Sequence, residues 1–392
     1  MKHILRCHEM LKDDIVRGDN CYLFDKGNKR YVDFEAGIWC TVIGHNNPRI
    51  NEKITEQISK VMHLGPRYTN HLAQEAAMSL LETLSVSDGK CLFLSSGSEA
   101  VEFGINAAKL ITGRNLMLTF SESYLGAYGS AGTRAGDNWT EISFNDCLDC
   151  RESECSKDCE NISGIDFKEV GAFVFEPGCS KGLIKFPPRK LVDLVVEEVE
   201  RFKGLIVVDE VTTGLGRTGR WYGFDHYGIK PDIIAVGKGL GNGYPVSAVV
   251  MKKEIAQTLE DQKFYYVQSH QNDPLGCAIA NEVIGVLRED DLINRSHKLG
   301  NMLVDRLNEI KDTSPVVKEL RGRGLMTALE FSDTNNHLSV EVIAQEMLKS
   351  GFIIGYNSEA NVIRFMPALT IEEKLIDSMV ENLSIVLKKQ ID

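Results

Sequence analysis

Residues 204–247 read GLIVVDEVTTGLGRTGRWYGFDHYGIKPDIIAVGKGLGNGYPVS, and the fold turns on how this stretch is read. Two apolar runs, 205–208 and 233–236, have the length and branching of strands buried in a parallel sheet. The first run stops on a carboxylate, Asp209, and the second stops one glycine short of an amine, Lys238. In open α/β sheets ligands bind outside the carboxyl ends of the strands, so both charges are expected to face one crevice. A lysine in such a crevice is desolvated, which lowers its pKa and makes it a candidate Schiff-base nucleophile.

Working outward, strand and helix patterns alternate on both sides of this stretch. Further strands are expected at 91–94, 116–120, 172–175 and 248–251, with helical periodicity at 100–110 and 188–202. This alternation predicts an α/β fold, a mainly parallel sheet covered on both faces. Upstream, 51–63 and 73–84 read as amphipathic helices, and two short strand-like pieces flank the turn Lys26-Gly27-Asn28. After Pro274 the pattern changes to helices at 275–287, 292–310, 339–349 and 371–389, separated by strands at 325–331 and 362–365. Thr370 and Glu373 read as a capping box for the last helix. The expected division is a large domain at 46–274 and a smaller α+β domain built from 1–45 and 275–392.

The chain has 392 residues, 43% hydrophobic and 26% charged, as in an ordinary globular protein, and it is long enough for two lobes. A net charge of −12 argues against nucleic acid or an anionic membrane as the main partner. No apolar window approaches a membrane span, and the N-terminus lacks a signal-peptide core, so a cytoplasmic protein with mostly reduced cysteines is expected.

Between a predicted strand and a predicted helix lies Ser95-Ser96-Gly97-Ser98-Glu99-Ala100. It reads either as a phosphate site made by the first N–H groups of a helix or as an ordinary serine cap with its acid. Gly214-Leu215-Gly216-Arg217-Thr218-Gly219 fits GxGxxG and raises an NAD-dependent oxidoreductase. That fingerprint should open a helix directly after its strand, whereas four residues follow Asp209 before it begins. An acid and a buried amine sharing a crevice suit pyridoxal 5'-phosphate (PLP), whose ring nitrogen needs an acidic partner.

Together these residues carry a resemblance. DEVTTGLGRTG and PDIIAVGKGLGNGYPVSA are similar to the signature of the class III, or ω-type, PLP-dependent aminotransferases of fold type I, the acetylornithine, ornithine and 4-aminobutyrate group. The likeness extends through LFDKGNKRYVDFEAG, GHNNP, LSSGSEAVEFGINAAK, FEPG, RGRGLM and VIRFMPALTI, almost the whole chain. The resemblance implies a large PLP-binding domain with a seven-stranded type of sheet, a homodimer with a shared active site, and a Schiff base at Lys238. It implies Asp209 at the ring nitrogen, Val211 and Tyr124 on the two ring faces, and Gly97 and Ser98 at the phosphate. Ser269 falls where a residue reaches the neighbouring subunit's phosphate. Arg364 matches the reader of the keto-acid carboxylate, and Glu176 the acid that pairs with that arginine when no carboxylate is bound. Trp39, Cys40 and Tyr68 fall in segments that shape the donor pocket. The implied reaction moves an amino group from an amine or ω-amino acid to a keto acid, with an aminomutase or amino-acid racemase as the alternative on the same fold.

Three positions depart from the family pattern. Thr212 stands where a longer Gln is common, beside the cofactor's ring oxygen. Tyr124-Leu125-Gly126-Ala127 replaces an aromatic–His–Gly–Arg run, so Ala127 cannot grip an ω-donor's carboxylate, a loss of roughly 1.5–3 kcal/mol. Arg67 is the candidate to compensate. Finally, Cys147, Cys150, Cys155 and Cys159 crowd one acidic segment. Clustered thiols suit structural zinc or an iron–sulfur cluster, while free thiols and disulfides are the other readings.

Overall fold

The computed structural model describes the chain except residues 1–2, 6, 9, 85, 87, 137, 333–338 and 392. Its centre is a seven-stranded sheet. Across the sheet the order is Lys90–Leu94, Ser247–Met251, Ile233–Val236, Leu205–Asp209, Val170–Phe175, Leu116–Phe120 and Trp139–Ile142. Ser247–Met251 runs antiparallel to both neighbours and every other pairing is parallel. The inner strands are apolar because both faces are covered: Val170–Phe175 is buried at all six positions and Ile233–Val236 at all four. Helix Gly97–Thr112 packs across the middle strands, and helix Arg189–Arg201 packs on Val170–Phe175 and Leu205–Asp209.

The expected strands are all present, and the edge strand Trp139–Ile142 is additional. Its sequence, WTEI, is short and half polar, and only the pairing with Leu116–Phe120 makes it a strand. The helices expected at 51–63 and 73–84 are Pro48–Ile58 and His71–Thr83, each opened by an asparagine whose side chain accepts a backbone N–H.

Two further four-stranded sheets flank the first. One joins Ile15–Asp19, Tyr22–Asp25 and Arg30–Asp33 to Phe352–Ile353, so the two ends of the chain share a sheet. The other is Val317–Arg323, Met326–Phe331, Val362–Phe365 and Gly355–Asn357. Long helices Pro274–Glu289, Leu292–Thr313 and Glu373–Ile391 accompany them. The capping box expected at Thr370 does not form: the last helix begins at Glu373, and the Thr370 hydroxyl donates to Asn20 instead. A tertiary hydrogen bond has displaced the local one. No described helix is long and apolar enough to cross a membrane.

Candidate active site

Asp209 ends its strand as expected, 5% exposed, with Oδ1 accepting the Val211 N–H at 2.9 Å. Burial pushes its carboxyl up to about 7, and the negative field of Glu176 adds to the shift. Lys238 follows Gly237 at the end of Ile233–Val236. Its Nζ donates to the Thr212 hydroxyl at 2.6 Å and lies 4.6 Å from the centre of a Trp39 ring. Burial lowers its pKa, while Glu176 and Asp209 act in the opposite sense. Thr212, the short residue at the expected glutamine position, therefore holds the lysine.

Gly97, Val211 and Gly237 form a close-packed floor. A Cβ on Gly97 would lie 2.7 Å from both Val211 methyls, and one on Gly237 would meet Val211 at 3.3 Å and the Gly97 Cα at 3.5 Å. Gly97 is thus required for the backbone to close around Val211, and Gly237 leaves room for little more than a methyl. Of the two readings of the serine-rich turn, the cap is present: Ser96 and Glu99 form a reciprocal capping box at the start of Gly97–Thr112. The cap leaves the helix start in place beside Val211. The Ser98 hydroxyl accepts the Ala127 N–H at 3.0 Å, tying the 124–127 segment to the same turn.

The opposite wall comes from the N-terminus. Ala36, Gly37, Ile38 and Trp39 all have positive φ, a left-handed turn that costs non-glycine residues roughly 1–2 kcal/mol each. The Asp33 carboxylate offsets this cost by accepting the N–H groups of Glu35, Ala36 and Gly37 at 2.8, 3.1 and 3.1 Å, and His45 Nε2 lies 2.8 Å from it. The turn buries Glu35 and Trp39 together, with the indole N–H donating to Glu35 Oε1 at 3.4 Å. Arg364, on Val362–Phe365, donates from Nη2 to Glu35 Oε2 at 3.3 Å, and its guanidinium lies 5.2 Å from a Trp39 ring centre. Burial raises the Glu35 pKa and Arg364 lowers it. Gly355 makes room, since a Cβ there would overlap the Glu35 carboxylate. Arg217, 1% exposed, donates through Nη1 to the carbonyls of Leu325 and Pro367 and adds positive charge on the Glu35 side.

A buried acid at one strand end, a buried amine at the next, a glycine floor between them and a guanidinium beyond suit a flat, anionic, aldehyde-bearing cofactor and a carboxylate substrate. The family profile described as aminotransferase class-III matches residues 6–387. The chain belongs to the class III aminotransferases. Among its relatives is the acetylornithine aminotransferase of Archaeoglobus fulgidus, 30% identical over 97% of both chains. A leucine/methionine racemase of Thermococcus litoralis is 29% identical over 94% of this chain and 89% of its own. An S-selective transaminase from Arthrobacter sp. superposes with a TM-score of 0.88 at 24% identity, over 99% of this chain and 96% of its own, which shows the shared fold.

Several positions of this aminotransferase differ from the expectation. Glu176 does not pair with Arg364: its carboxylate accepts the Tyr124 N–H at 2.7 Å and both the N–H and hydroxyl of Ser180. Glu35 takes that place, and sequence reading missed it because the two partners lie 329 residues apart. Tyr124 is 44% exposed. Tyr68 and Ser269 are exposed, and Tyr68 lines a groove with His71, Gln74 and Asn272 instead of joining Lys238. Arg67 is also exposed. The GxGxxG run is a turn closed by Gly219 N–H on Gly216 O, with no helix opening on it, so the NAD fingerprint is absent. The four clustered cysteines are free thiols, and no three of them bring their sulfurs within 4.8 Å of one another among the described residues. Cys147 is buried with Asn161 donating to its sulfur at 3.5 Å, whereas Cys150 and Cys159 are exposed.

Proposed function

We propose that this aminotransferase holds PLP over the Gly97–Val211 floor and transfers the amino group of an amine or ω-amino acid to a keto acid bound by Arg364. The observation that carries the reading is the Glu35–Arg364 pair beside Trp39 and Lys238, a carboxylate site that supplies its own carboxylate when the substrate has none. When bound, PLP supplies an electron sink for the bond broken at the donor carbon. Lys238, whose pKa burial lowers, would move the proton between the donor carbon and the cofactor. Asp209 would keep the ring nitrogen protonated. Gly97 and Ser98 would hold the phosphate, Val211 and Tyr124 would flank the ring, and Thr212 orients Lys238. In the second half-reaction the keto-acid carboxylate displaces Glu35 from Arg364.

Several expectations belong to the same proposal. A homodimer is supported by Ser269, which is exposed on its own chain and so free to serve a neighbour's site, as is Tyr68. The shared sheet of the two chain ends supports a smaller domain formed by 1–45 and 275–392 beside 46–274. Free thiols throughout support a reducing, cytoplasmic setting.

Racemisation remains the second reading, favoured by the relative from Thermococcus litoralis. A panel of diamines, ω-amino acids, β-amino acids and simple amines, each assayed with and without a keto acid, tests both. Stoichiometric consumption of the keto acid by a donor lacking an α-carboxylate is expected. Inversion of an amino acid with no keto-acid requirement would overturn the transfer reading.

A further inference from the structure

Away from Lys238, the loop before helix Pro274–Glu289 gathers a different kind of chemistry. Among the described residues, only His63, His270 and Asp273 place three metal-ligand types of atom within 4.8 Å of one another. His63 lies just beyond helix Pro48–Ile58, so the cluster joins two separate elements. His63 Nδ1 is 2.7 and 2.9 Å from the two Asp273 oxygens, and His270 Nδ1 is 2.6 Å from Oδ2. The two ring centres are 4.7 Å apart.

Asp273 occupies the N-cap position of its helix, where an aspartate ordinarily accepts a first-turn N–H. It makes no such bond. Its carboxylate turns to the two imidazoles, with the Leu64 N–H a further donor at 3.4 Å. A cavity of about 290 Å³ opens beside His270 and Asp273, walled also by Ser95 and Tyr244.

We propose that His63, His270 and Asp273 bind one first-row divalent cation of the zinc type. Two imidazole nitrogens and a carboxylate suit such a cation, whereas magnesium and calcium prefer oxygen throughout. The cation takes the Nδ1 lone pairs, each neutral ring keeps its proton on Nε2, and a water from the cavity fills a remaining position. The site acts as a clip. Gln268 already ties the loop to Ser95 Oγ at 3.0 Å and Glu99 Oε1 at 3.2 Å, and Asn272 exchanges hydrogen bonds with Phe93. A cation at Asp273 would reinforce the attachment that His63 and the Leu64 N–H already make from the segment after Pro48–Ile58.

The test is made on the purified holoenzyme, stripped with a chelator and titrated with Zn²⁺ against a chromogenic competitor, then with Co²⁺ for its visible spectrum. One cation per chain is expected, with d–d absorption and no sulfur-to-cobalt charge-transfer band. His63→Ala and His270→Ala should each weaken binding by more than the roughly 10–100-fold that loss of an outer-shell partner costs. Cys150→Ser with Cys155→Ser should bind as the unmodified protein does. The proposal is overturned if no cation is retained through gel filtration, if both histidine variants bind normally, or if the cobalt spectrum shows thiolate ligation.

Discussion

Replacing Glu35 with glutamine should split the two half-reactions in opposite directions. Glu35→Gln keeps the volume and the acceptor for the Trp39 indole N–H but removes the charge facing Arg364. A hydrogen bond to a charged group contributes roughly 1.5–3 kcal/mol, and the 3.3 Å Nη2–Oε2 separation places this pair at the weaker end, about tenfold in an equilibrium. An incoming keto acid must break that bond in the unmodified enzyme and not in the variant, so its KM should fall about tenfold. A donor without a carboxylate then meets an uncompensated guanidinium, and its half-reaction should slow by a similar factor. Because burial raises the Glu35 pKa, the unmodified enzyme should also bind keto acid more tightly as the pH falls and Glu35 takes up a proton. The variant should show a flat profile over the same range. Rapid-mixing spectroscopy of each half-reaction alone measures the split. Movement of both half-reactions in one direction, or an unchanged pH profile, would refute the assignment of Glu35.

Four further outcomes are expected. Gly355→Ala should drive the Glu35 carboxylate from its place and reproduce the keto-acid effect of Glu35→Gln, read as the same fall in KM. Lys238→Ala should abolish turnover and prevent borohydride from fixing the cofactor to the chain; retained turnover would reject the lysine's role. In cofactor-free protein the fold keeps the Asp209 proton up to about pH 7, whereas the unfolded chain releases it near 3.8, so stability falls as the pH rises through that window. Asp209→Asn should remove this loss, at most about 4 kcal/mol, giving a higher Tm than the unmodified apoprotein at pH 8. Gly97→Ala should push Val211 aside, an overpacking cost of roughly 1–3 kcal/mol, and weaken cofactor binding about tenfold or more in an absorbance titration.

The cofactor side of the site was legible because it is local. Asp209 and Lys238 each sit at the end of a short apolar run, and strand ends in a parallel sheet converge by construction. The substrate side was not. Glu35 and Trp39 lie on a left-handed turn whose sequence, EAGIW, carries no local sign of that conformation. Asp33 imposes it through three backbone bonds, and the arginine it serves comes 329 residues after Glu35. Glu176 shows the opposite error: its motif was recognised, but its carboxylate is saturated by Ser180 and Tyr124. Similarly, the four cysteines are close enough to act on one another's charge, yet among the described residues no three bring their sulfurs within 4.8 Å of one another.

The sheet shared by the two chain ends also sets an order on synthesis. Arg30–Asp33 finds its parallel partner, Phe352–Ile353, only after more than 300 residues have been added, and Arg364 emerges later still. During translation the strands bearing Asp209 and Lys238 are complete before Glu35 has its counter-ion. A nascent chain therefore acquires its cofactor wall first and its substrate discrimination last, leaving a long interval in which Arg30–Asp33 keeps one edge without its C-terminal partner.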